Sequence, residues 1–283
     1  MTGAPALGRT GARRSSLAQV GRLLAVGCGL LAVGSCNEIA GPIRGGGYGF
    51  TLIVSDTVVA DTTIDGVFYA EGDTITDTVA FSWPESHIPI RIWVHDTNGL
   101  PEDIDAGIAL WEDALLFGEI AAVRVSDSAT AHIIVKGTPA PPEESAPHPA
   151  RRLAAALPAC EGATDVLVSA PDHTKLWLPV RVYVIPTFVM TDTVTTNCLK
   201  RVTAHELGHA LGLFRHSIDL NNLMFGFPEV DAPSEVDATT ILRLYHTQAD
   251  LRPAIAPPTV EDTTTTPPDS TPPDTMLLLR RRN

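Results

Sequence analysis

His205-Glu206-Leu207-Gly208-His209-Ala210-Leu211-Gly212, followed by His216 and then Met224, is the stretch from which the rest of this chain is read. Residues four apart on a helix share one face, one turn from each other, so His205 and His209 present two imidazoles to a single metal ion. Glu206 is one residue out of step: it is poorly placed to share the metal and well placed to reach a water beside it. Gly212 tolerates the left-handed backbone that ends a helix. A chain that reverses there can bring His216 back as the third protein ligand of a Zn²⁺ site whose fourth position stays open. Met224 lies eight residues beyond His216.

The segment from His205 to Met224 resembles the metzincin zinc endopeptidases, closest to their matrixin-like branch. That family's pattern is H-E-x-x-H-x-x-G-x-x-H and then a methionine-containing turn, and His216 to Phe225 fits the matrixin spacing between the two. The resemblance implies an α+β fold: a twisted, mostly parallel sheet with an active-site helix and a C-terminal helix. It also implies one catalytic Zn²⁺ on His205, His209 and His216, Glu206 as general base, Met224 in the Met-turn, and hydrolysis of a protein or peptide substrate. Leu213-Phe214-Arg215 puts three residues between Gly212 and His216 where the family has two. Strict alignment would place Arg215 at the ligand position, and a guanidinium has no free lone pair. We therefore read a one-residue insertion confined to the turn, with Asp219 as the alternative third ligand. The family's tyrosine two residues after the methionine is replaced by Gly226.

Arg9, Arg13, Arg14 and Arg22 precede an apolar run, Leu23 to Ser35, too short to span a membrane as a helix. Residues 1–35 read as an export signal. Val33-Gly34-Ser35-Cys36 resembles a bacterial lipobox, which makes Cys36 the lipidated N-terminus; Cys28 is a weaker candidate, and an ordinary cleaved signal is the alternative. The expectation is a bacterial cell-envelope lipoprotein or a secreted protein, acting as a monomer and touching the membrane through its lipid. Export removes four arginines and no acids, leaving 16 basic against 33 acidic side chains, net −17. Such a surface repels nucleic acid and anionic headgroups. Cys160 and Cys198 remain, and in an oxidising compartment they can pair; two buried free thiols are the alternative.

Residues 36–48 read as a Gly-rich tether and 49–87 as a small β-rich segment of unknown role. The catalytic domain is expected over 88–252. Its elements are a strand at 89–94, a helix over 101–117, strands at 121–125 and 131–135, a loop over 137–163, a strand region over 178–189, the histidine helix capped by Thr195 or Thr196, and a last helix from Ser234. The resemblance puts 131–135 near the sheet edge that a substrate joins. From Pro253 to residue 283 the Pro/Thr-rich composition predicts disorder.

The other histidines, His87, His95, His132, His148, His173 and His246, show no ligand spacing. Asp96, Asn98, Asp103 and Asp105 offer oxygen ligands for Ca²⁺, but a turn and a helix N-terminus account for them better. The Asp-Thr pairs at 56–57, 61–62, 73–74 and 77–78 read as turns. Two other functions compete with the endopeptidase: a catalytically inactive metzincin-like binding module, and a zinc peptidase of another branch using Glu229 or Glu235.

Overall fold

Ile90-Arg91-Ile92-Trp93-Val94 alternates buried and exposed side chains and forms a central strand. The structure is a computed structural model and describes residues 47–97, 99–115, 117–142, 151–157, 159–187 and 193–256. The predicted export signal, Cys36, most of the predicted tether, His148, Asn98 and the tail beyond 256 lie outside the described residues. Among the described residues no helix is long and apolar enough to cross a membrane.

The strands are β1 (Leu52–Thr57), β2 (Thr62–Ile64), β3 (Val67–Tyr69), β4 (Thr74–Val79), β5 (Ile90–Val94), β6 (Ala122–Arg124), β7 (Ile133–Lys136), β8 (Arg151–Ala156), β9 (Cys160–Val168), β10 (Lys175–Pro186) and β11 (Arg252–Ile255). The helices are α1 (Leu100–Ala114), α2 (Thr193–Ala210) and α3 (Glu235–Tyr245). A seven-stranded sheet runs β6-β5-β7-β10-β9-β8, with β11 beside the start of β10. Strands β6, β5, β7, β10 and β11 pair in parallel, whereas β9 and β8 are antiparallel. The architecture is thus α+β with a mixed sheet.

Helix α1 buries Leu100, Ile104, Gly107 and Trp111, spaced three and four apart as one helical face demands. It packs against α2, and α2 in turn packs on β9 and β10. Trp111 Nε1–H donates to the Ala204 carbonyl at 2.8 Å, which ties the two helices polar atom to polar atom. Helix α3 opens on a capping box in which the Ser234 hydroxyl and the Asp237 carboxylate each serve the other's backbone N–H.

Several expectations are corrected. The boundary near residue 88 does not divide the packing. Leu52, Val54, Phe81 and Trp83 belong to the same core as Ile104 and Met224, and Trp83 Nε1–H donates to Ala210 O at 3.0 Å. Fully burying a side chain such as Phe81 contributes about 1.5–3 kcal/mol, so the preceding segment is structural to the whole. The predicted 137–163 loop contains β8 and the start of β9. The strand at 131–135 lies inside the sheet, between β5 and β10; the sheet ends at β6 on one side and β8 on the other. Helix α2 begins at Thr193, so Thr195 lies inside its first turn and is buried rather than capping it. The tail is held as β11 through Ile255. Of the Asp-Thr pairs, 56–57 and 77–78 lie within β1 and β4 and not in turns.

Candidate metal centre

The end of α2 is a Schellman turn. Leu213 N–H donates to Gly208 O and Gly212 N–H to His209 O, both at 3.0 Å. Gly212 has φ 110°, and a Cβ there would come 2.1 Å from the Phe81 carbonyl oxygen, so both backbone shape and space require glycine. The extra residue of the turn is absorbed outside the helix. Phe214 N–H donates to Phe50 O at 3.1 Å, and Arg215 Nε–H donates to Thr51 O at 2.9 Å. Arg215 thus points to β1 and away from the histidines.

His216 is thereby brought back to the helix. The ligating atoms of His205, His209 and His216 all lie within 4.8 Å of one another, and the triad could hold a metal ion. The Nε2 atoms of His209 and His216 are 3.1 Å apart. Two nitrogens at about 2.0–2.1 Å from one tetrahedral ion lie roughly 3.3 Å apart, so the spacing fits. His205 Nδ1–H donates to Leu223 O at 2.7 Å and His209 Nδ1–H to Leu213 O at 2.5 Å. These bonds fix the tautomers and leave both Nε2 lone pairs facing the cluster. His205 Nε2 is buried and has no protein partner among the described residues, as a ligand nitrogen waiting for an ion would be. Burial lowers His205 to about 3 and takes His209 well below the ordinary value; the more exposed His216 is lowered by partial desolvation.

Glu206 is fully buried. Its Oε2 accepts from Thr164 Oγ1 of β9 at 2.7 Å, while Oε1 has no hydrogen-bond partner of good geometry. The backbone N–H of Ala155 on β8 lies close enough to the carboxylate to favour its charged form. Burial outweighs these contacts and pushes the carboxyl up to about 8; a cation at the histidines opposes that push.

Met224 is fully buried beneath α2 at the Gly208 position, where a Cβ would come 2.4 Å from its sulfur. Its turn is held by residues the sequence reading passed over. Buried Asp237 accepts from Leu223 N–H at 2.7 Å, Met224 N–H at 3.4 Å and the Tyr48 hydroxyl at 2.8 Å. Asn222 donates to Ser217 Oγ at 2.6 Å and accepts from Ser234 Oγ at 2.7 Å. The Ser234/Asp237 spacing was the available signal, since a capping aspartate can serve a second backbone. Gly226 lies against the His216 ring.

The alternative ligand Asp219 is exposed, and its Oδ1 accepts from Asn221. Glu229, Glu235 and the Asp96–Asp105 group form no further metal-ligand cluster among the described residues, and Asp105 pairs with Arg124 at 2.7 Å. Cys160 and Cys198 are bonded to each other, which ties the start of β9 to α2. His173 is buried with its ring nitrogens 2.6 Å from carboxylate oxygens of Asp56 and Asp77, a tie between β1, β4 and the β9–β10 turn that spacing along the chain gave no means of finding.

No protein-family model and no curated protein matches the sequence.

Proposed function

We propose that this chain is a zinc-dependent endopeptidase of the metzincin type, matrixin-like, exported by a bacterium and held at the cell envelope by lipid on Cys36. The reading rests on one observation: three neutral imidazoles converge, two with Nδ1 tied to backbone carbonyls, beside a buried glutamate and above a buried methionine. The Cys160–Cys198 bond supports an oxidising compartment.

His205, His209 and His216 would hold a Zn²⁺, and when bound it would supply Lewis-acid chemistry, acidifying a water near neutral pH and polarising a peptide carbonyl. Glu206 does the proton work. Thr164 holds Oε2, which leaves Oε1 as the oxygen that takes the proton from attacking water and passes it to the leaving amine. A site that served only to staple the fold would need no such base. That argues against the inactive binding module, and Glu229 and Glu235 stand apart from the triad.

In the purified chain, Glu206→Gln is expected to keep one zinc per molecule and to lose casein cleavage by about 10²–10⁴-fold. Cleavage at the wild-type rate in that variant would end the mechanism.

A further inference from the structure

Strand β8 covers the general base. Glu206, His205 and His209 are completely buried, so neither water nor a peptide reaches the carboxylate in this arrangement. The cover is main chain. On β9, Gly162 and Thr164 face Glu206: a Cβ on Gly162 would come 2.7 Å from the carboxylate, and Thr164 holds Oε2. Strand β8 pairs antiparallel with this stretch, Ala155 opposite Gly162 and Leu153 opposite Thr164, and the Ala155 N–H lies against the carboxylate. An extended peptide reaching Glu206 along the sheet would add to the edge of β9, because β10 fills the other side. Strand β8 already holds that edge.

Its side-chain anchorage is short. Leu153 packs on the core, Ala154 is exposed and Ala155 brings one methyl group to the interior. The polar tie is Arg152, which grips Asp165 of β9 through two hydrogen bonds of 2.8 and 2.9 Å.

The geometry points to β8 as an internal occupant of the peptide cleft: Arg151–Ala156 lies on the β9 edge as a substrate strand would, and the site opens when β8 leaves. This rests on the endopeptidase reading for its consequence, latency, but not for the strand exchange itself. A substrate then competes with the chain's own strand, and its apparent affinity is reduced by the fraction of molecules in which the edge is free.

Two readouts separate the ideas. The first is binding of a fluorescent peptide of sequence Arg-Arg-Leu-Ala-Ala-Ala to the full chain carrying Glu206→Gln, where no turnover occurs. Leu153→Ala, which removes the apolar anchor of β8, and Arg152→Gln, which removes the clamp, should each tighten binding by about tenfold or more, with Ala154→Ser as the unchanged control. The second is casein cleavage by the same β8 variants with Glu206 intact, expected to rise by a similar factor. Circular dichroism and zinc content verify folding. Amide exchange in the zinc-loaded Glu206→Gln chain serves as an arm free of β8 substitutions: excess peptide should speed exchange in Arg151–Ala156 and leave β7 and β10 unchanged. Peptide binding and cleavage indifferent to both β8 variants, or β8 amides that stay protected with the peptide bound, overturn the inference while leaving the protease reading intact. Tightened binding with no cleavage in any variant sustains the strand exchange and removes the protease reading.

Discussion

Two of the three candidate ligands are held by a helix and the third by borrowed contacts, and the two kinds of support differ in reach. His205 and His209 stand in register on α2, buried, with their Nδ1 atoms bonded to carbonyls of the segment that follows the helix. His216 sits on an exposed turn whose course depends on Phe50 and Thr51, more than 160 residues upstream. Local periodicity fixes the first pair. Only the tertiary fold fixes the third, which is why one extra residue is tolerated there and would not be between His205 and His209, where it would turn the second imidazole by about 100° around the helix.

The largest effect should come from the helical pair. His209→Ala is expected to weaken zinc binding by more than the roughly 10–100-fold typical of losing a supporting hydrogen bond, measured by competition with a chelator. A smaller loss in His209→Ala than in Arg215→Ala would invert the comparison. Next is the bond that anchors α2 to β9. Cys160→Ser with Cys198→Ser opens a crosslink spanning 38 residues and should cost about 2–4 kcal/mol in urea unfolding.

The third effect probes the upstream support through pH. His132 is buried, stacked on Trp83 at 5.5 Å, and accepts from Arg91 N–H at 3.2 Å. Burial, then Arg91 and His87, lower its pKa to about 4. A histidine lowered when folded binds fewer protons than the unfolded chain between its two pKa values. Its contribution is therefore complete above about 6.5 and is lost as pH falls toward about 4. Its share of the loss should be about 1–3 kcal/mol across that window, and His132→Phe should reduce the slope by that share while keeping the ring contact with Trp83, the buried His205 and His209 supplying the rest. An unchanged pH profile in His132→Phe would assign the acid sensitivity elsewhere. The smallest effect is Arg215→Ala: about 0.5–1 kcal/mol of stability for one partly exposed hydrogen bond, with metal affinity reduced less than in His209→Ala.

How much could be read in advance follows the same division. The histidine helix, its glycine stop and the last helix were legible because their signals lie within a few turns of one another. The parallel strands β5, β6 and β7 were legible from alternation, though the place of β7 inside the sheet was not. Strand β8 was hidden by composition: Arg-Arg-Leu-Ala-Ala-Ala favours helix, and only pairing with β9 makes it a strand. The upstream segment was set apart as a separate unit because its ties are backbone carbonyls and single aromatic rings, Phe81 and Trp83, which leave no period in the sequence. Asp56 and Asp77 read as turn formers, and the histidine between them comes from the β9–β10 turn.

The contacts made by Tyr48, Phe50 and Thr51 bear on how this protein can be handled. Tyr48 reaches Asp237 beneath Met224, while Phe50 and Thr51 hold the turn that carries His216. A recombinant version trimmed to begin at residue 88 would keep every ligand and discard the scaffold that aims one of them. Expression clones should therefore start upstream of Tyr48, and any affinity tag belongs ahead of it with a spacer between.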